Sequence, residues 1–279
     1  MLAKPIIKFV GGKSQLLPEI LPRLPAKIRT YYEPFAGGAA VFFALASERR
    51  FERAVLCDLN AELAILYTVV RDAVEALIGE LSGMTYSEEE YYRVRATEPG
   101  DPVKRAARMV YLNKTGFNGL YRVNKSGKFN VPFGRYANPT ICDEPRLRAA
   151  SEALQGVSIR TGDFWHGCGD AAPGDFVYFD PPYLPVSRTA NFRSYQANGF
   201  TVEDTQRLAG MCTWLADRGA QFLLSNADTP ETREVFGEFQ IETVSARRAI
   251  NRDATKRGAV NEILVSARAH SMVSKETGT

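Results

Sequence analysis

The sequence predicts an α/β fold: an open, mostly parallel sheet with helices on both faces, into which a helical and looped segment is inserted. Three observations predict it. Short β-branched and aromatic runs recur at 31–35, 54–57, 157–161, 176–179, 220–225, 239–244 and 262–267. Helical patterns lie between many of them, and strands that alternate with helices pair in parallel with both sheet faces covered. Residues 70–150 break the alternation with Asn-Gly, Ser-Gly and Phe-Gly turns set among short aromatic pieces.

Taken in order, the run 31–35 leads through a glycine turn into a helical pattern over Val41–Glu48, and 54–57 closes on Asp58. In the central block Ser87 with Glu90 reads as a capping box, and Asp101-Pro102 as an N-cap followed by proline in the first turn of a helix through Val103–Leu112. The stretch KTGFNGLYRVNKSGKFNVPFGRYANP reads as loops and a hairpin around Ser126-Gly127. Thr201 and Asp204 form another capping box, opening a helix that runs to Ala216. The expected organisation is therefore a discontinuous sheet domain, 1–69 and 151–270, an insertion at 70–150 and a tail at 271–279.

The 279 residues, 45% hydrophobic and 24% charged, have the balance of an ordinary globular protein, which argues against disorder and a disulfide-built module. No apolar run reaches the roughly 18 residues of a membrane span. The start, MLAKPIIKFV, breaks its apolar residues with Lys4, Pro5 and Lys8, unlike a signal peptide, so a soluble, cytoplasmic chain with no membrane partner is expected. Cys57, Cys142, Cys168 and Cys212 stand far apart, and His166 and His270 are the two histidines, a pattern against a metal site and against a Ser-His or Cys-His nucleophile.

Charge is unevenly spread. Lys104 to Arg135 holds eight Lys/Arg and no acid, and Thr243 to Gly258 holds five against Asp253 alone. With a total of +3, the remaining chain is net acidic. A charge run alone reads as a solvated face. Interleaving with Tyr111, Phe117, Tyr121, Phe129 and Phe133 turns the reading toward nucleic acid, whose phosphates meet the cations while its bases stack on rings.

Four motifs point to chemistry. In Tyr31-Tyr32-Glu33-Pro34-Phe35-Ala36-Gly37-Gly38 a strand enters a glycine turn ahead of a helix, where Phe35 and Gly37 can meet a ligand that approaches the backbone. Asp58 ends the next strand at the spacing where such folds bind ribose hydroxyls, although ligand-free α/β proteins show this pair too. Asp163-Phe164 after 157–161 offers a hydrogen-bonding and packing edge for an adenine ring, and Lys8-Phe9-Val10-Gly11-Gly12-Lys13 is either a plain turn or a loop that sets Lys13 on a ligand carboxylate and Phe9 on its apolar part. Asp180-Pro181-Pro182-Tyr183 follows the apolar strand 176–179, at the sheet's carboxyl edge where ligands bind. A planar amine is a poor nucleophile because its lone pair is delocalised. Asp180 and the Pro181 carbonyl can each accept one of its N–H bonds, the two prolines stiffen the corner, and Tyr183 gives a stacking face. The competing reading is a rigid turn that stops the strand.

The succession KFVGGK, YYEPFAGGAAVF, CDLN, YLNKTGFNGLYRVNKSGKFNVPFGRY, then DPPY followed by TANF and a late Arg-Arg pair, resembles the Dam-type DNA adenine-N6 methyltransferases, the D12 class of group alpha, as far as about residue 268. The resemblance implies a Rossmann-like methyltransferase sheet with a target-recognition insertion, S-adenosylmethionine as methyl donor, and adenine in double-stranded DNA as acceptor, usually within GATC. It also implies base flipping and action as a monomer without metal. By position, Phe9, Lys13, Asp58 and Asp180 fall where the family binds cofactor, Phe9 standing in place of a tryptophan. Arg122 matches an arginine that reads guanine. Phe117 stands where Dam carries a tyrosine that wedges into the duplex, Asn118 and Leu120 match its neighbours, Lys8 falls beside the first base pair, and Asn124, Asn130 and Arg135 match backbone contacts. Two rivals stand beside this reading: a DNA-binding protein without catalysis, and a methyltransferase for RNA or for a protein glutamine.

Overall fold

The computed structural model describes residues 2–124, 126–183, 200–247 and 259–268. It contains a seven-stranded sheet of order β3-β2-β1-β4-β5-β7-β6. The strands are β1 (Ile28–Glu33), β2 (Phe51–Asp58), β3 (Ser158–Thr161), β4 (Phe176–Phe179), β5 (Gln221–Ala227), β6 (Gln240–Arg247) and β7 (Ala259–Ser266). β1 to β5 are mutually parallel, whereas β7 runs antiparallel to both β5 and β6. All seven strand readings recur, 176–179 with the same ends and the other six with shifted ends. β1 stops at Glu33 rather than at 35, as expected where Pro34 supplies no N–H to a ladder.

The apolar strands are explained by burial on both faces. Tyr31, Leu56, Tyr178 and Leu223 enter one hydrophobic cluster, and their neighbours Tyr32, Val55, Val177, Phe179 and Leu224 enter the other. On the first face lie α2 (Ala40–Ser47), α3 (Ala61–Asp72), α4 (Val74–Ser82), α5 (Glu88–Ala96), α6 (Pro102–Thr115) and α7 (Glu144–Leu154), after a short N-terminal α1 (Leu17–Ile20). The second face receives α8 (Phe164–Cys168) and α9 (Val202–Asp217), with α10 (Pro230–Val235) contacting α9. The expected boundaries at 70 and 151 fall inside α3 and α7, and the helices between them share one continuous core with the sheet.

Capping follows the sequence with one exception. Asp101 accepts from Lys104 N with Pro102 in the first turn, and Thr201 and Asp204 form a reciprocal box. Ser87 caps α5, but the Glu90 carboxylate ion-pairs with Arg93 at 2.6 Å instead of returning to the cap, so only half of that box forms. The hairpin around Ser126-Gly127 is present as a bridge between Val123 and Phe129. Thr189-Ala190-Asn191-Phe192, Lys125, His270, the Arg247 side chain, the cations from 248 to 257 and the tail 271–279 lie outside the described residues.

The aromatic residues of the basic segment correct the sequence reading. Tyr111 is fully buried, Phe133 packs on Tyr86 and Tyr91, and Tyr121 packs on Phe129 and Phe9, so their rings serve the core. Phe117, 49% exposed, is the ring of the five that reaches outward. The cations divide in the same way. Arg105 pairs with Glu62, Arg108 donates to the Val94 and Arg95 carbonyls that end α5, and Lys114 is half-buried, while Lys104, Arg122, Lys128 and Arg135 are exposed.

Candidate active site

β1 pairs with β2 on one side and β4 on the other, so chain order reverses between β1 and β4. Such a switch point opens a crevice beyond the carboxyl ends of the two strands. A cavity of about 690 Å³ lies there, lined by both strand ends, the Phe9–Lys13 loop, the turn after β1, Asp58, Asp163 and the start of α9. All four sequence motifs therefore converge on one site.

On the β1 side the Gly37 N–H donates to Asp58 Oδ2 and the Asn60 N–H to Oδ1, each at 2.9 Å, while the Tyr67 hydroxyl donates to the Gly37 carbonyl at 2.6 Å. Burial raises the Asp58 pKa, against those N–H donors, which favour the carboxylate. Gly37 has φ +46°, in the left-handed region that favours glycine, and a Cβ on it would stand 3.1 Å from the Phe9 ring. Phe35 meets Phe164 at 5.8 Å and Phe200 edge-on at 5.8 Å. Asp163 caps α8 through the His166 N–H and pairs with Arg207 of α9 at 2.9 Å, and the Arg207 guanidinium lies 5.2 Å from the Phe164 ring centre. Burial would raise the Asp163 pKa, but the His166 N–H and Arg207 outweigh it and the net shift is downward.

On the β4 side Asp180 Oδ1 meets Lys13 Nζ at 2.6 Å and accepts from Ser225 Oγ at 3.2 Å. Lys13 also donates to the Gly11 carbonyl at 2.8 Å and lies 4.9 Å from the Tyr183 ring centre. Burial raises the Asp180 pKa above the ordinary carboxylate value, with Lys13 opposing. The Tyr183 hydroxyl donates to Glu262 Oε2 of β7 at 2.7 Å, and burial together with Asp180 and Glu262 pushes its pKa upward, keeping it a donor. Pro181 and Pro182 complete this wall.

The residues expected to face DNA are Lys8 and those of the 117–135 segment, which meets the cavity-lining loop where Tyr121 stacks on Phe9. Phe117 and Asn118 are exposed, Leu120 is half-buried, and Asn118 adopts φ 56°. Lys8 is exposed and rests against Gly119. Arg122, exposed, donates through Nε to Asn130 Oδ1 at 2.7 Å and through Nη2 to the Asn130 carbonyl at 3.1 Å. Asn124 Oδ1 accepts from Ser126 and Lys128 N–H groups at 3.0 Å, holding the hairpin turn, and Arg135 is exposed. Sequence reasoning missed Glu33, Asn113, Arg207, Ser225 and Glu262. Their signals were polar residues set in or at the end of an apolar run, as in YYEPF, VYLN, FLLSN and NEILV, and for Arg207 a position one turn inside the capped α9.

The residues fit S-adenosylmethionine. The cavity is within the roughly 300–1,000 Å³ of small-ligand sites, aromatic rings are available to an adenine, and Asp58 is held with lone pairs to spare for ribose hydroxyls.

The chain matches the D12 class N6 adenine-specific DNA methyltransferases over residues 9–250. It is 41% identical to a type II methyltransferase of Methanocaldococcus jannaschii, over 95% of this chain and 99% of that one. It is 40% identical to a type II methyltransferase of Lactococcus lactis subsp. cremoris, covering 94% and 95%. To the DNA adenine methylase of Escherichia coli K12 the identity is 37%, covering 92% and 93%. With a cavity built for a nucleoside cofactor and the family's motifs gathered around it, the chain belongs to the D12 class N6 adenine-specific DNA methyltransferases.

Proposed function

We propose that this methyltransferase, whose methyl donor is S-adenosylmethionine, modifies adenine within GATC in double-stranded DNA after rotating the base out of the helix. The observation that carries the reading is that Asp180-Pro181-Pro182-Tyr183 and the Phe9–Lys13 loop line one cavity, and that this loop is tied through Lys8 and Phe9 to the segment that exposes Phe117 and Arg122. An adenine inside a duplex cannot reach that cavity wall, and extrusion costs only a few kcal/mol.

Within the wall each residue has a task. Asp180 Oδ1 is engaged by Lys13 and Ser225, so Oδ2, which has no partner among the described residues, takes one N–H of the amine. The Pro181 carbonyl takes the other, drawing the nitrogen lone pair out of the ring. Tyr183, tied to Glu262, presents its ring to the base. Bound S-adenosylmethionine supplies an electrophilic methyl on a sulfonium. Transfer would break the donor's S–CH3 bond, leaving the thioether S-adenosylhomocysteine, as the N–C bond forms, and the proton lost from the amine nitrogen would be received at Asp180, whose raised pKa suits holding it before release to water.

Sequence choice is assigned to Arg122, preset by Asn130 to face the two acceptors of a guanine. Phe117 is assigned to fill the space left by the base, with Asn118 and Leu120 shaping its loop, and Lys8, Asn124, Asn130 and Arg135 are assigned to flanking contacts. Residues 70–150 act in this reading as the recognition part. Action as a monomer and a location in the cytoplasm, where DNA and donor meet, are assigned on the family resemblance alone. Among the described residues no helix is long and apolar enough to cross a membrane.

The test is plasmid methylation in vitro followed by digestion with nucleases that differ in their response to GATC methylation, with N6-methyladenine quantified by mass spectrometry. Protection against the GATC-blocked nuclease is expected. N6-methyladenine without that protection overturns the GATC assignment. Methyl transfer to RNA or a glutamine peptide in preference to DNA overturns the substrate assignment.

A further inference from the structure

Asn113 stands in the last turn of α6 with 4% of its surface exposed. Its Nδ2 donates to the Lys8 and Gly119 carbonyls, both at 2.8 Å, and its Oδ1 accepts from the Lys8 N–H at 2.9 Å. Carbonyls can be met only by the amide's NH₂ and an N–H only by its oxygen, so the partners fix the amide's orientation. One side chain thus ties two segments: the loop from Lys8 to Lys13, which lines the cofactor cavity, and the loop around Gly119, which exposes Phe117 and leads to Arg122. Two further contacts join the same segments. The Phe9 and Tyr121 rings stack with centres 6.0 Å apart. Gly119, at φ +63°, lets the backbone lie on the Lys8 side chain, where a Cβ would stand 2.9 Å from Lys8 Cδ. Segments joined in this way cannot be ordered or displaced singly.

We propose that Asn113 is a positioning residue that couples the two ligands, holding the cofactor-facing and DNA-facing loops in one arrangement so that each ligand tightens the other. The inference rests on the assignment of the Phe117–Arg135 loops to DNA made above. A ligand that orders a shared element lowers the ordering cost left for the second ligand, and linkage makes the effect reciprocal. Asn113→Asp is nearly isosteric yet sets an acceptor against two carbonyls, removing both donated bonds while leaving the bond from Lys8 N–H.

The test measures S-adenosylhomocysteine binding by calorimetry, with and without a short GATC duplex, in the full-length protein and in Asn113→Asp. In the wild type the duplex is expected to tighten binding within the usual coupling range of about 5–150-fold, and in the variant by less than about 2-fold. Duplex binding alone is measured for both proteins. A wild-type ratio of one, or an unchanged ratio in the folded variant, overturns the proposal. Should Asn113→Asp fail to fold by circular dichroism, Tyr121→Leu, which removes the ring stack, is measured in the same way: a ratio lowered by at least about 2-fold supports the coupling, and an unchanged one overturns it. A wild type that binds no duplex sinks the DNA reading together with this inference. Intact duplex binding with an unchanged ratio in the variant sinks the inference alone.

Discussion

Lys13 and Ser225 both approach Asp180 through Oδ1, at 2.6 and 3.2 Å, and in the proposed reading the second oxygen accepts from the substrate amine. Asp180→Asn keeps the shape but loses the charge that Lys13 balances and the proton acceptor. Single-turnover methylation is expected to fall by about 10²–10³-fold, the usual cost of one preorganised electrostatic partner, with duplex affinity nearly unchanged. A rate within tenfold of the wild type would remove Asp180 from the chemistry. Because burial raises the Asp180 pKa, the acid limb of the rate profile should lie above the ordinary aspartate range, the rate falling as pH drops and the acceptor oxygen is protonated. Glu33 carries a stability consequence of its own. It accepts from the Tyr31 hydroxyl at 2.8 Å and the Phe42 N–H at 3.0 Å, yet burial lifts its pKa to about 8. The folded state therefore keeps a proton that the unfolded chain releases near the ordinary glutamate value of about 4.3. This residue's contribution is most favourable below that value, declines as pH rises, and levels off above about 8. Urea unfolding of Glu33→Gln should show the variant gaining on the wild type between about pH 5 and pH 8. A constant difference across that window would show Glu33 to be ionised throughout.

Helix α9 shows how an element places a site residue. Thr201 N–H donates to Asp204 Oδ2 and Asp204 N–H to Thr201 Oγ1, each at 3.1 Å, and the same first turns carry Arg207 to Asp163 and the Phe164 ring. Thr201→Ala should cost about 1 kcal/mol in urea unfolding, the typical value of an N-cap, and should raise the KM for cofactor more than it lowers kcat. Unchanged stability would mean that packing alone starts the helix. Elements of this kind were legible in the sequence because their causes are local: a cap three residues from its partner, a proline at a helix start, strands apolar on both faces. Motifs at strand ends were legible for the same reason, since β1, β2, β3 and β4 each deliver theirs to the same sheet edge. The supporting residues were not. Ser225 meets Asp180 across 45 positions, Glu262 meets Tyr183 across 79 and Asn113 meets Lys8 across 105, separations that only the sheet order brings together.

At the scale of the whole molecule, charge counted along the chain overstates what a polyanion can meet. The segment Lys104 to Arg135 holds eight cations, but Arg105 is paired with Glu62, Arg108 is spent on the carbonyls at the end of α5, and Lys114 is half-buried with its pKa lowered by burial and by Arg146. Arg122 and Arg135 are exposed, as are Lys8 and Phe117. Each phosphate neutralised contributes roughly 0.9 to the slope of log K against log salt, so the slope reads the cations that reach DNA and ignores those consumed inside the fold. Arg135→Ala is therefore expected to lower that slope by about 1 while leaving thermal stability unchanged. Arg108→Ala should do the reverse: the slope stays and stability falls by about 1–3 kcal/mol, because two buried-side carbonyls lose their donor. Duplex affinities measured from about 50 to 200 mM salt, with melting curves of the same proteins, separate the two effects. A slope that drops in Arg108→Ala and holds in Arg135→Ala would place the DNA along α6 instead of across the loops that carry Phe117 and Arg135.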